Sequence, residues 1–233
     1  MKEKTKEVIE VINKEEYPNK TVEFFKGIGT ILLYFIFALI GGIIFGNYYE
    51  SSNKLIAGLS QLGTYLIMLA GFCLIYRKRL IEDFKNFQKD NINIALKNWL
   101  CGLGIMFISN LIISFIVKDI AVNESANREL LNNLPITNMI TMIIIGPLIE
   151  EIAFRASFKK AFTKWYTFAI VTGFLFGLAH IAEYTLLELL FIIPYGALGF
   201  FFAKAFYETN NIYTSYIAHA LHNALCILLI MLY

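Results

Sequence analysis

Charge is scarce in this chain of 233 residues: only 16% are Asp, Glu, Lys or Arg, 58% are hydrophobic, and the mean hydropathy is +0.61. A water-facing surface cannot be built from so few charges, and the composition is that of a membrane protein. The formal net charge of +2 is too small to argue for nucleic acid. Cysteine is equally thin. Cys73, Cys101 and Cys226 are far apart and all lie in apolar runs, which gives neither a disulfide framework nor a zinc knuckle. Internal repeats and low-complexity tracts are absent. No cleavable signal peptide is expected, because the first 26 residues are polar and lysine-rich and no short apolar core with a small-residue cleavage site follows. The chain is therefore expected to stay embedded.

What is present is a series of apolar runs. An apolar helix needs about 20 residues to cross the hydrocarbon core, and seven segments approach that length: Ile28–Tyr48, Leu55–Tyr76, Trp99–Val117, Ile136–Phe154, Tyr166–Ala182, Leu186–Phe206 and Ile212–Leu232. The expected fold is an all-α, polytopic transmembrane bundle, since backbone groups in lipid must be satisfied within each segment. Pro147 and Pro194 mark spans where the helix is expected to break. With a cytoplasmic N-terminus, seventeen Lys and Arg fall on the inner side and only Lys54, Lys118 and Arg128 on the outer side, which sets the N-terminus inside. Leu80, Ile81, Phe84 and Phe87 recur at helical spacing among charges between Arg77 and Lys97, the pattern of an amphipathic helix at the interface. Val122–Leu134 reads as a similar surface segment on the other side. The chain divides into a polar N-terminal segment (1–26), a scaffold of three spans (27–135) and a C-terminal core (136–233).

Ionisable groups within the C-terminal spans need a reason, because each costs a few kcal/mol or more mid-membrane. The fourth span ends in Gly146-Pro147-Leu148-Ile149-Glu150-Glu151-Ile152-Ala153-Phe154-Arg155. Glu151 and Arg155 are four apart with the acid first, the favoured order for an ion pair on one helix face. Glu150, about 100° round the helix, is left facing elsewhere. A carboxylate without a cation among apolar side chains is costly as an anion and suited to take a proton from water, which makes Glu150 the general-base candidate. The plain alternative puts both glutamates in water at the headgroup boundary. In the fifth span Gly173 and Gly177 are four apart and admit a close neighbouring helix, with Phe176 on the face of His180. By itself His180 is also accounted for by a hydrogen bond to a nearby carbonyl. The seventh span stacks His219 and Asn223 on one face with His222 one step away. Such a pair suits an oxyanion, or else serves as polar glue between helices.

Taken in order, Glu150-Glu151 with Arg155, Phe176 with His180, and His219 with Asn223 resemble the motifs of the CPBP intramembrane proteases. That family includes the type II CAAX prenyl endopeptidases and bacterial bacteriocin-processing or immunity proteins. The motifs span residues 146–223. The resemblance implies that Glu150 and His180 activate a water for attack on a peptide carbonyl, that His219 and Asn223 stabilise the oxyanion, and that Glu151, Arg155 and Phe176 support them. It implies a peptide or membrane-protein substrate met in the lipid bilayer, a multi-pass protein of the cell membrane, and a role in bacteriocin or signalling-peptide maturation or self-immunity. His222 lies outside the family pattern, and the N-terminal half reads as scaffold.

The His-Glu-x-x-His arrangement of soluble zinc proteases is absent, and asparagine is a poor zinc ligand. A metal-free mechanism without cofactor is expected, with zinc held by Glu150, His180 and His219 as the alternative. The competing functions are a non-catalytic immunity or binding protein of the same fold and a small proton-coupled transporter. Against the transporter, the chain lacks the repeated halves and paired broken helices often seen in such proteins. The cavity is expected between the fourth, fifth and seventh spans, open to the cytoplasmic side. One geometric difficulty stands out: His180 lies about 21 Å along its helix from the cytoplasmic end, whereas Glu150 is one or two turns from Arg155.

Overall fold

The computed structural model describes residues 19–133 and 135–232, and most of the polar segment expected at 1–26 lies outside them. Among the described residues there are helices and no strands. Helix α1 runs Lys20–Phe45, α2 Lys54–Ile75, α3 Arg77–Lys85, α4 Lys89–Ile113 and α5 Val122–Asn133. An irregular helix, α6, covers Ile136–Ala161. It is followed by α7, Trp165–Ala179, α8, Ile192–Thr209, and α9, Ile212–Leu232. Six of these are long and apolar enough to cross a membrane, and α7 is a shorter apolar helix. The protein is a multi-pass helical membrane bundle.

The span limits expected from hydropathy shift where polar residues find partners. α4 begins ten residues before Trp99. Its buried Asn91 donates to Thr214 Oγ1 at 2.9 Å, and Asn98 donates to Glu208 at 3.1 Å. α1 begins at Lys20 because Asn19 caps it and Glu23 pairs with Lys26 at 2.6 Å. Pro194 breaks nothing, since it sits in the first turn of α8, where its missing N–H costs no helical bond.

Two ends of the bundle are distinct. At one, the short amphipathic helix α3 docks on the turn between α8 and α9: Asp83 accepts from the Ile212 N–H at 2.8 Å, and Arg79 bonds Asn210. This end also carries Lys159 and Lys160. At the other lies α5, its first turn held by Glu188, which accepts from the Val122 N–H at 2.9 Å. The core gathers where α6, α7, α8 and α9 meet, around Ile149, Ile152, Phe176, Phe202 and Phe206. Gly173 and Gly177 let α7 and α8 touch backbone to backbone. A Cβ at Gly173 would stand 2.7 Å from Phe200 N, and one at Gly177 2.8 Å from Ile192 O.

Candidate active site

The irregularity of α6 builds the site. Residues Ile140–Ile145 form a π-helical turn, in which the Gly146 N–H bonds the Thr141 carbonyl. In that frame the next donor, residue 147, would bond the carbonyl of Met142. Proline has no N–H, so that carbonyl is left over. Asn223 takes it up: its Nδ2 donates to Met142 O at 2.7 Å. One hydrogen of the Asn223 amide is thus committed to the α6 backbone, and the other remains to be used.

Glu151 is fully buried. Its Oε2 lies 3.3 Å from Arg155 Nε, an ion pair held by charge rather than alignment, because neither atom has a hydrogen-bond partner. Its Oε1 meets His219 Nδ1 at 3.0 Å. Arg155 is also fully buried. It donates from Nη2 to Gly199 O at 3.2 Å and lies 4.5 Å over the Phe176 ring, with Phe154 and Phe202 at 5.8 and 5.9 Å. Arg155 therefore ties α6 to α7 and α8, and it is not a loop cation at the membrane boundary as the charge count assumed.

That burial removes the difficulty over His180. α6 continues past Arg155 to Ala161, so Glu150 sits eleven residues, or about 16 Å, from its lysine-bearing end. His180 closes the C-terminus of α7, whose 15 residues rise about 22 Å. The two levels come close because α6 is longer and α7 shorter than hydropathy suggested.

His180 Nδ1 lies 2.8 Å from the Phe176 carbonyl, an oxygen that only accepts. The proton is therefore on Nδ1, and Nε2 keeps its lone pair. The ring stacks on Tyr195 at 4.9 Å and lies 4.3 Å from the Phe176 ring. The carbonyl bond expected of a structural histidine is present, and it orients the free nitrogen. His219 is held similarly. It is stacked on Phe202 at 4.9 Å, with Nδ1 against the Glu151 carboxylate and Nε2 3.7 Å from Glu150 Oε2. One imidazole thus bridges the two glutamates.

Glu150, Phe176, His180, His219 and Asn223 line one cavity of about 260 Å³. Glu150 Oε2 is buried in its wall without a hydrogen-bond partner. Glu151 and Arg155 stand behind it. Two expectations are corrected. The cavity is not bounded by the fourth, fifth and seventh spans alone: Tyr34 of α1, Gln61 and Tyr65 of α2, Asn127 of α5 and Tyr195 of α8 also line it. Nor does it run toward the lysine-bearing end. Its lining extends under α5 at the opposite end, and no residue of 156–165 or 204–212 belongs to it. His222 lines the same cavity, with Nε2 3.4 Å from Cys226 Sγ. Among the described residues, no group of three or more His, Cys, Asp and Glu side chains is arranged to hold a metal ion.

The residues missed in the sequence are those of the first two helices. Gln61 and Tyr65 are four apart in an apolar span, the same signal that singled out His219 and Asn223, but neutral side chains drew no attention there.

Comparison with known proteins agrees with the motifs. A family model described as type II CAAX prenyl endopeptidase Rce1-like matches residues 132–225. The chain is 27% identical to a Bacillus subtilis protein named "Putative membrane peptidase YdiL" over 74% of this chain and 71% of that one. It is 25% identical to an uncharacterized protein of Mycoplasma capricolum over 88% of this chain and 68% of that one. No solved structure matches.

Proposed function

From the premise that residues 132–225 are an Rce1-like region, we propose that the protein is an intramembrane endopeptidase of the cell membrane. It hydrolyses a peptide bond in a peptide or membrane-associated protein. The observation that carries the reading is the Glu150 carboxylate: Oε2 is buried, without a hydrogen-bond partner and 3.7 Å from His219 Nε2, in a cavity shared with His180 and Asn223. A water bound there gives its proton to Glu150 while its oxygen attacks the peptide carbonyl carbon. The free Nε2 of His180 holds that water by accepting its second hydrogen. The oxyanion is met by the remaining Asn223 amide hydrogen and by His219, which donates from Nε2 when it carries both protons. Glu150 then returns the proton to the leaving amine. Glu151 and Arg155 fix the His219 ring and the turn that carries Glu150.

The mechanism proposed is glutamate-dependent and free of metal. With the lysine-bearing end cytoplasmic, the cavity is approached from the side of α5, which suits a peptide maturing on its way out of the cell. A bacteriocin or signalling precursor fits that description.

The test is cleavage of a candidate precursor peptide by the purified protein. Wild type is expected to cleave it with or without a chelator, and Glu150→Gln and His180→Ala to lose about 10²–10⁴-fold in kcat. Activity abolished by the chelator would return the zinc alternative through Glu150, His180 and His219. Undiminished activity in both well-folded variants would sink the proposal.

A further inference from the structure

The cavity wall facing the motif residues comes from the half of the chain that carries no motif. Tyr34, Gln61 and Tyr65 line it. Gln61 and Tyr65 are one helical turn apart on α2, which packs along α1 and Tyr34. Gly146, one turn before Glu150, lies between the two walls: a Cβ built there would stand 2.9 Å from Thr141 O and 3.8 Å from both Glu150 Oε1 and Tyr65 Cε1. Tyr65 and Glu150 thus both border the open side of Gly146 within the one cavity. Gln61 Oε1 is buried without a hydrogen-bond partner. Neither phenol hydroxyl is held by another described group, although Tyr49, on the same two helices' connection, bonds Thr64. A buried amide oxygen left without a donor is costly unless something completes it, and the two hydroxyls beside it in the cavity wall are free to bond whatever enters.

We infer that Tyr34, Gln61 and Tyr65 form the wall that holds the backbone of a peptide substrate across Glu150, a role that rests on the endopeptidase reading. The two hydroxyls donate to peptide carbonyl oxygens, and the Gln61 carbonyl accepts a peptide N–H. An extended peptide presents this alternation of donors and acceptors whatever its side chains, so the wall binds backbone and leaves sequence preference to the α5 end of the cavity. These are binding residues, and their contribution is the same before and during reaction.

The experiment uses the full chain in detergent and a pool of quenched-fluorescent peptides of randomised sequence, from which one cleaved by wild type is taken for kinetics. Tyr34→Phe, Tyr65→Phe and Gln61→Leu are each expected to raise KM by roughly two- to tenfold with kcat within about twofold. Tyr184→Phe, at an exposed position, leaves both unchanged and serves as control. An unchanged KM in all three variants, or a fall in kcat alone, overturns the inference. If wild type cleaves no peptide, the endopeptidase reading fails by itself. Fluorescence anisotropy with singly labelled peptides then decides about the wall: weaker binding by the Tyr34→Phe/Tyr65→Phe double variant supports it, and equal binding, or none by wild type, overturns it.

Discussion

Helices α1 and α6 are of nearly equal length, and both are apolar enough to cross a bilayer, yet they are used in opposite ways. Across its apolar stretch α1 has 11% of its residues buried, and α6 has 50%. α1 is regular and turns Leu32, Phe35, Leu39 and Ile43 outward. α6 is interrupted by two π turns and a proline and holds two glutamates and an arginine inside. Hydropathy decides that a helix enters the membrane. In α6 the departures from regular geometry join the carboxylates to the rest of the site, because they release a backbone carbonyl that Asn223 of α9 completes.

The comparison breaks most severely at Arg155. Replacing it with Ala takes the guanidinium from buried Glu151, leaving only His219 beside the carboxylate, and should destabilise the fold by about 3–5 kcal/mol, seen as loss of the monodisperse protein on heating in detergent. Glu151→Gln combined with Arg155→Met should recover much of that loss while leaving His219 a neutral acceptor in place of a carboxylate. A smaller effect follows at the α7–α8 contact. Gly173→Leu forces two backbones apart and should cost about 1–3 kcal/mol by the same measurement. Asn223→Leu frees the Met142 carbonyl and should cost about 1–3 kcal/mol. Asn223→Asp, which offers no N–H there, should not rescue it. At the other extreme, Ile43→Ala on the outward face of α1 should change stability by no more than about 0.5 kcal/mol. A large loss there would mean that α1 is covered by something besides lipid.

The spans and the order of the motifs were legible in the sequence because length, hydropathy and i,i+4 spacing are local properties. α9 was read to the residue, and the Glu151–Arg155 pair follows from spacing alone. What was not legible depends on partners distant in the chain. α4 reaches back to Lys89 only because Asn91 and Asn98 find Thr214 and Glu208. α6 passes Arg155 only because Gly199 and three aromatic rings receive the guanidinium. The bridging of both glutamates by His219 required the geometry of two helices. The wall formed by Tyr34, Gln61 and Tyr65 was hidden because a phenol or an amide in an apolar run raises no alarm of the kind a charge does.

The position of Arg155 also bears on how the protein is made. α6 leaves the ribosome before α7 and α8 exist, so the aromatic rings and the Gly199 carbonyl that finally surround the guanidinium are not yet available. Its counter-charge, Glu151, lies one turn earlier on the same helix and is synthesised first. The nascent segment can thus be handed to the bilayer with its buried cation already matched. The later helices then close around a pair that formed without them.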